Sequence, residues 1–439
     1  MHHRSLGLSA AVLFACVLGI RCDGGSQQPG NDASVEAGPD VDNGAPSTNY
    51  PAPHSPLPQL VNASKGPVLT SPKIYLVFYP NYAWEAQFQA FAQAMTTASY
   101  WGATTSEYAV GAFGYGGTID LTDTPPATIT QADLQTWVGS EIQSGAFGTP
   151  DPQAIYTIVY PKTTTITQPN PVSPVFGTVA SCVSFGGYHD NVEVALGDAG
   201  TTDFAYAVIP TCGAIDTVTY AMSHEWIEAA TDPLITSGGT FTLTGGPNAA
   251  FYGPDGDHLI WALLGGGEAG DLCEPEGPKT FIKPTDVGQY VQRTWSNAAA
   301  AASHDPCVPE ISGAFFDAAP VLDETVTFTS AFTGTVTTKG VTIAQGASKT
   351  IEVDLFSDGD TGGPWNVTAA DVLSTYYGSY GLASTLSFAW DRTQGQNGEK
   401  LHLTITVTGP SPVGGAHAFM ITSNLNGRVA VWPGLVVEP

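Results

Sequence analysis

Hydrophobic periodicity changes once along this chain, near residue 310, and that change limits the folds open to it. Upstream, apolar runs of strand length alternate with apolar residues at helical spacing. Ile74–Tyr79 is such a run, and Trp84, Phe88, Phe91 and Met95 follow it at intervals that predict a helix. Leu134, Val138 and Ile142 predict a second helix, Ile155–Tyr160 a second buried strand, and Phe204–Ile209 a third. Strands and helices in alternation predict an α/β layered domain. Downstream, Glu324–Thr329, Thr350–Phe356, Ser384–Trp390, Lys400–Thr408 and Ala416–Ser423 are short, turn-bounded runs, several with period-two alternation and none with a helical stripe. Such evenly spaced strands predict a β-sandwich of about 125 residues.

The beginning of the chain follows different rules. Residues 1–22 join a short basic start (His2, His3, Arg4) to an apolar run, Leu6–Ile20, too short and wrongly flanked for a membrane span, and are expected to be an export signal. Cys16 and Cys22 each offer a lipid-attachment position, with plain cleavage as the alternative. A lipid anchor there would tether the protein to a cell surface or outer membrane. Residues 23–60, rich in Gly, Ser, Pro, Asn and Asp, hold too little apolar surface to fold and are expected to form a disordered acidic stalk. This leaves residues 65–309 for the α/β domain and 310–439 for the sandwich.

Composition excludes one large class of partners. With 40 Asp and Glu against 13 Lys and Arg, the net charge of −27 argues against nucleic acid. Charged residues are only 12%, while Gly (50) and Pro (33) abound, which suits a secreted protein with long loops. Beyond the leader, Cys182, Cys212, Cys273 and Cys307 form an even set without a C-x-x-C spacing, so two disulfides are expected rather than a thiolate zinc site. Three connectivities are open, and the favoured one joins Cys182 to Cys212 and Cys273 to Cys307.

The chemistry concentrates between Ala221 and Pro233. Asp216 can cap a helix that Pro233 stops, so a helix is expected over 217–231. On it His224 and Glu228 stand one above the other with Glu225 beside them, and Val218, Met222 and Ala229 opposite. His-Glu-x-x-Glu differs by one residue from His-Glu-x-x-His, in which the outer side chains bind zinc and the Glu between them acts on the metal's water. A carboxylate is an acceptable zinc ligand. The plainer alternative is a solvated acidic helix face. A long Gly-rich region up to Gly277 follows, in which Asp255-Gly-Asp257 offers a weak calcium signal. No Gly-x-Ser-x-Gly elbow appears, and Gly114-Tyr-Gly-Gly117 lacks the Lys of a phosphate loop.

Four motifs in order carry a resemblance: Gly187-Tyr188-His189; Ser223-His224-Glu225-x-x-Glu228-Ala-x-Thr231-Asp232-Pro233; Gly267-Glu268-x-Gly270-Asp271-Leu-Cys273; and Trp295-Ser296-Asn297. Together they resemble a group of exported bacterial and fungal proteins commonly treated as zinc-dependent peptidases, distantly similar to the plant exordium or phosphate-induced extracellular proteins. The resemblance spans residues 68–308 and implies a zincin-like layered domain. It implies His224 and Glu228 as metal ligands, Glu225 as general base, and a third ligand among Glu268, Asp271 and His189. The segment between Asp232 and Glu268 is longer here than in that group. The implied activity is hydrolysis of a protein or peptide substrate by a zinc-activated water whose pKa falls to about 7. The anionic Glu228 makes the metal less electrophilic than two histidines would. Tyr188, His189 and His258 are candidate oxyanion partners. The competing expectation is a non-catalytic cell-surface binding or adhesion protein in which the acidic stripe holds a structural cation.

Overall fold

Ile74, Leu76 and Phe78 belong to one apolar cluster, while Val77 and Tyr79 belong to another. Alternate residues of one strand thus point to opposite faces, and both faces are covered, which explains the unbroken apolar run. The computed structural model describes residues 42–169, 178–237, 245–262, 266–330, 334–377, 383–411 and 415–439. The expected export signal, both leader cysteines and the first part of the stalk lie outside the described residues.

The first lobe runs β1 (Lys73–Phe78), α1 (Glu85–Met95), α2 (Ser99–Thr105), β2 (Gly114–Asp120), α3 (Gln131–Ser144), β3 (Ala154–Tyr160), β4 (Tyr188–Ala195), β5 (Thr201–Pro210) and α4 (Ile215–Thr231). Its five-stranded sheet has the order β2-β1-β3-β5-β4. All neighbours are parallel except β4, which lies antiparallel to β5. One face packs on α1 and α4 through Phe88, Phe91, Met222 and Trp226, and the other on α3 through Leu134, Val138 and Ile142. Each such fully buried side chain contributes about 1.5–3 kcal/mol relative to exposure. Helix α4 starts slightly earlier than expected: Ala214 holds the cap position without a side-chain bond, and Asp216 falls in the first turn. There its charge favours the positive end of the helix dipole.

The second lobe is a mixed arrangement of two facing sheets. Its strands are β6 (Phe316–Pro320), β7 (Glu324–Ser330), β8 (Gly334–Thr342), β9 (Ser348–Ser357), β10 (Trp365–Asp371), β11 (Leu386–Trp390), β12 (Gln394–Gly395), β13 (Lys400–Val407), β14 (Ala416–Leu425) and β15 (Arg428–Val437). They pair as β6-β9-β13-β11 and β7-β8-β15-β14-β10-β12. Between the sheets Val353, Leu355, Leu401, Leu403, Ile405, Phe419 and Ile421 are fully buried. A six-residue helix, Val372–Tyr377, interrupts what reads in the sequence as strands alone.

The lobes share one apolar cluster, running from Leu57 and Trp226 to Trp432 and Val437. At its joint Trp261 meets Trp295 and Trp432 edge-on, each with ring centroids 5.5 Å apart. The expected stalk needs correction here, because from residue 42 onward the chain is an ordered strap. Asn397 explains how so polar a segment is held: its Oδ1 accepts from Ala52 N at 3.0 Å, and its Nδ2 donates to the carbonyls of Ser47 and Asn49 at 2.9 Å each. His54 then stacks on Phe356 at 3.5 Å between centroids, and Leu57 and Leu60 are buried. Leu60–Val61 pairs with Gly253–Pro254 of the first lobe.

Candidate metal centre

The site forms around the second half of α4, level with the middle of the parallel strands, where Trp226 Nε1 donates to Thr157 Oγ1 at 2.9 Å. Helix α4 sets His224 and Glu228 one turn apart, with His224 Nε2 2.9 Å from Glu228 Oε2 and 3.7 Å from Asp271 Oδ1. Strand β4 begins beside the end of β5, pairing His189 with Ala207, and brings His189 Nε2 to 3.2 Å from Glu268 Oε1. His224, Glu228 and Asp271 place donor atoms within 4.8 Å of one another, and so do His189, Glu228 and Glu268. All the expected ligands therefore converge, and these groups could hold a metal ion. They are 3–6% exposed, as is Glu225, so the stripe is no solvated helix face.

The turn after Glu268 is built around Glu228. The backbone N–H groups of Gly270 and Asp271 donate to Glu228 Oε1 at 3.0 and 3.1 Å, leaving Oε2 turned to His224. Gly270 has an ordinary helical φ of −73°. Space, not conformation, requires it to be glycine: a Cβ there would lie 2.6 Å from His224 Nδ1 and 2.7 Å from Glu228 Oε1. Gly187 gives the same room to Glu225, whose Oε1 would stand 2.6 Å from an added Cβ. The turn is pinned by the disulfide Cys273–Cys307, and the approach to β4 by Cys182–Cys212, the pairings expected. Closing loops of 30 and 34 residues, each bridge contributes roughly 2–4 kcal/mol.

Gln292, which the sequence did not single out, fixes the imidazole of His224. Its Nε2 donates to the carbonyl of Gly270 at 2.7 Å, so its Oε1 is the atom facing His224 Nδ1, also at 2.7 Å. Nδ1 therefore carries the hydrogen of the neutral ring, and Nε2 is left to bind a cation or a proton. Gln292→Ala is expected to lower metal affinity about 10–100-fold, measured by competition with a chromophoric chelator. Glu274 also joins the site, with Oε1 3.8 Å from His224 Nδ1.

Taken by themselves, the protein groups shift one another strongly. Burial pushes the carboxyls of Glu225, Glu268 and Asp271 well above the usual range, and neighbouring Glu228 adds to this in each case. Burial works against a charged His224, but Glu228 and Glu225 outweigh it and hold the imidazolium well above its ordinary pKa. Burial would likewise raise Glu228, yet His224 holds it below the carboxylate range. Burial pulls His189 down to about 4, keeping it a neutral donor. A cation held here would compete with protons, so its affinity would rise with pH. His189 Nδ1 and Nε2, Glu268 Oε1, Glu225 Oε2 and the Tyr188 hydroxyl are buried without a hydrogen-bond partner. His189 and Glu268 are thus close without hydrogen-bond alignment.

Two expected residues are placed elsewhere. His258 Nδ1 pairs with Asp255 Oδ1 at 2.8 Å, and Asp255 Oδ2 accepts from Gln59 N at 2.9 Å, so both serve the strap. Asp255 belongs to no group of three or more His, Cys, Asp or Glu side chains that could share an ion among the described residues. Glu276, Asp305 and Cys307 cluster as well. Arg293 already occupies their centre, and the Cys307 sulfur is bonded to Cys273.

No family model matches the chain, and no curated protein matches it. Among solved structures, the titin M3 domain is similar at 11% identity, covering 23% of this chain and 86% of that one with a TM-score of 0.15, a likeness on which nothing further rests. The two disulfides fit an oxidising, extracellular environment. Among the described residues no helix is long and apolar enough to cross a membrane.

Proposed function

We propose that the protein is an exported metal-dependent peptidase, with zinc held by His224 and Glu228 together with Asp271, Glu268 or His189. The supporting observation is the fixed ring of His224, whose Nδ1 is committed to Gln292 while Nε2 faces two carboxylates. A mostly parallel sheet with one antiparallel edge strand, packed on the helix that carries the motif, fits a zincin-like layering. Zinc bound there supplies Lewis acidity at the scissile carbonyl and at the attacking water. Glu225, with Oε2 uncommitted, takes the water's proton and delivers it to the leaving amine. Tyr188, a candidate oxyanion donor from the sequence, packs against Phe185 and Tyr206 on the α3 face of the sheet. A lipid at Cys16 or Cys22 would hold this activity at the cell surface.

One observation favours a second reading. The ligand groups are only 3–6% exposed, which suits a structural cation in a non-catalytic surface-binding protein. Glu225→Gln separates the two. Under the first reading it keeps its zinc, by elemental analysis, and loses about 10²–10⁴-fold in hydrolysis of an unfolded protein substrate. Unchanged hydrolysis by that variant would sink the mechanism; a wild type that binds zinc and cleaves nothing selects the structural cation. No metal bound by the wild type refutes both.

A further inference from the structure

We infer that the centre takes a pair of divalent cations bridged by Glu228, an inference that rests on the metal-centre reading above. The two donor groups share a single residue, Glu228. His224 comes from α4 and His189 from β4, while Asp271 and Glu268 come from the turn that Glu268 opens. Each group offers one imidazole and two carboxylates, a donor set suited to zinc or another first-row divalent metal.

Partner accounting separates the two halves. An ion held by His224, Glu228 and Asp271 uses groups that are already oriented, by Gln292 and by the backbone of Gly270 and Asp271. It leaves His189 Nε2 and Glu268 Oε1 buried without a hydrogen-bond partner. Buried polar atoms are seldom left so, and here they lie within 4.8 Å of a carboxylate oxygen of Glu228. Glu225, Glu228, Glu268 and Asp271 are all at most 6% exposed, so the donor atoms face protein rather than water. Two-metal sites space their ions about 3.5–4 Å apart, a span one carboxylate bridges.

The test is zinc stoichiometry of the full chain, stripped with a chelator, reloaded, desalted and analysed for metal alongside calorimetric titration. Two zinc ions per chain are expected for the wild type. Glu268→Gln, which keeps the side-chain shape, and His189→Ala are each expected to retain one, with the thermal unfolding transition intact. One ion per chain in the wild type, unaffected by Glu268→Gln, overturns the pair and leaves the single centre standing. Two ions retained in both variants also overturn it, because the second ion would then lie elsewhere. No zinc in the wild type overturns both the pair and the proposed metal-dependent function.

Discussion

Arg293→Ala is expected to cost roughly 3–5 kcal/mol of folding stability. The side chain is fully buried, and four of its five N–H donors are spent within the protein. Nε donates to the Pro309 carbonyl at 3.0 Å, Nη1 to Glu276 Oε2 at 2.9 Å, and Nη2 to both Asp305 and the Cys307 carbonyl. Arg428 of β15 reaches the same Asp305 at 2.7 Å, so the cluster ties the second lobe to the first. Removing the guanidinium strands Glu276 and leaves Asp305 with Arg428 alone. Such an uncompensated buried carboxylate dominates the loss. Arg293→Lys should recover little, since one ammonium cannot serve two carboxylates and two carbonyls arranged around a planar fork. Urea denaturation measures the change, and a loss below about 1 kcal/mol would show that the cluster is not a structural tie.

Stability should also fall as pH rises through the acid and neutral range, and Asp317→Asn should flatten that fall. Asp317 in β6 is 2% exposed; its Oδ1 accepts from Ala318 N at 2.8 Å and from Ser423 Oγ at 3.2 Å. Burial pushes its pKa from 3.8 up to about 7. The folded state therefore holds the proton more tightly than the unfolded chain does. The resulting stabilisation is complete below pH 3.8 and is lost as pH climbs to about 7. At 1.36 kcal/mol per unit, the span is worth about 4 kcal/mol as an order of magnitude. Asparagine keeps the acceptor and never ionises. The variant should match the wild type near pH 4 and exceed it by several kcal/mol near pH 8, in unfolding curves at each pH. A difference that does not grow with pH refutes the assignment.

What the sequence revealed depended on how many faces of an element are buried. Strands β1, β3 and β5 are covered on both sides, so their apolar runs stand out, and the stripe on α4 is regular enough to place His224 over Glu228. Strand β15 was not among the strands expected from the sequence, and it contains Pro433 and Gly434. In the fold they sit mid-strand, and glycine is needed since a Cβ at 434 would lie 2.1 Å from the ring of Phe419. Strand β8, with Thr at 335, 337, 338 and 342, has too few apolar residues to declare itself. At the site, the i,i+4 pair was visible in spacing, whereas Glu268, Asp271 and His189 rested on a resemblance between separated motifs. Gln292 had no signature at all, because an amide that orients a ring is recognisable only by where the chain folds it.

The strap has a consequence for the order in which the molecule can be completed. Ala52 bonds to Asn397 across 345 residues, and Ser47 and Asn49 depend on the same amide. A chain made from its N terminus presents these residues first and their partner almost last. This part of the strap therefore waits, fully hydrated, while both lobes form, and docks only at the end of a very large loop. Its scarcity of apolar residues between 42 and 56 is what lets it wait without misassociating. A fragment truncated before Asn397 should assemble the sheet around β1 and dock Leu60–Val61 on Gly253–Pro254, yet leave residues 42–52 undocked, a failure visible as rapid proteolysis confined to that end.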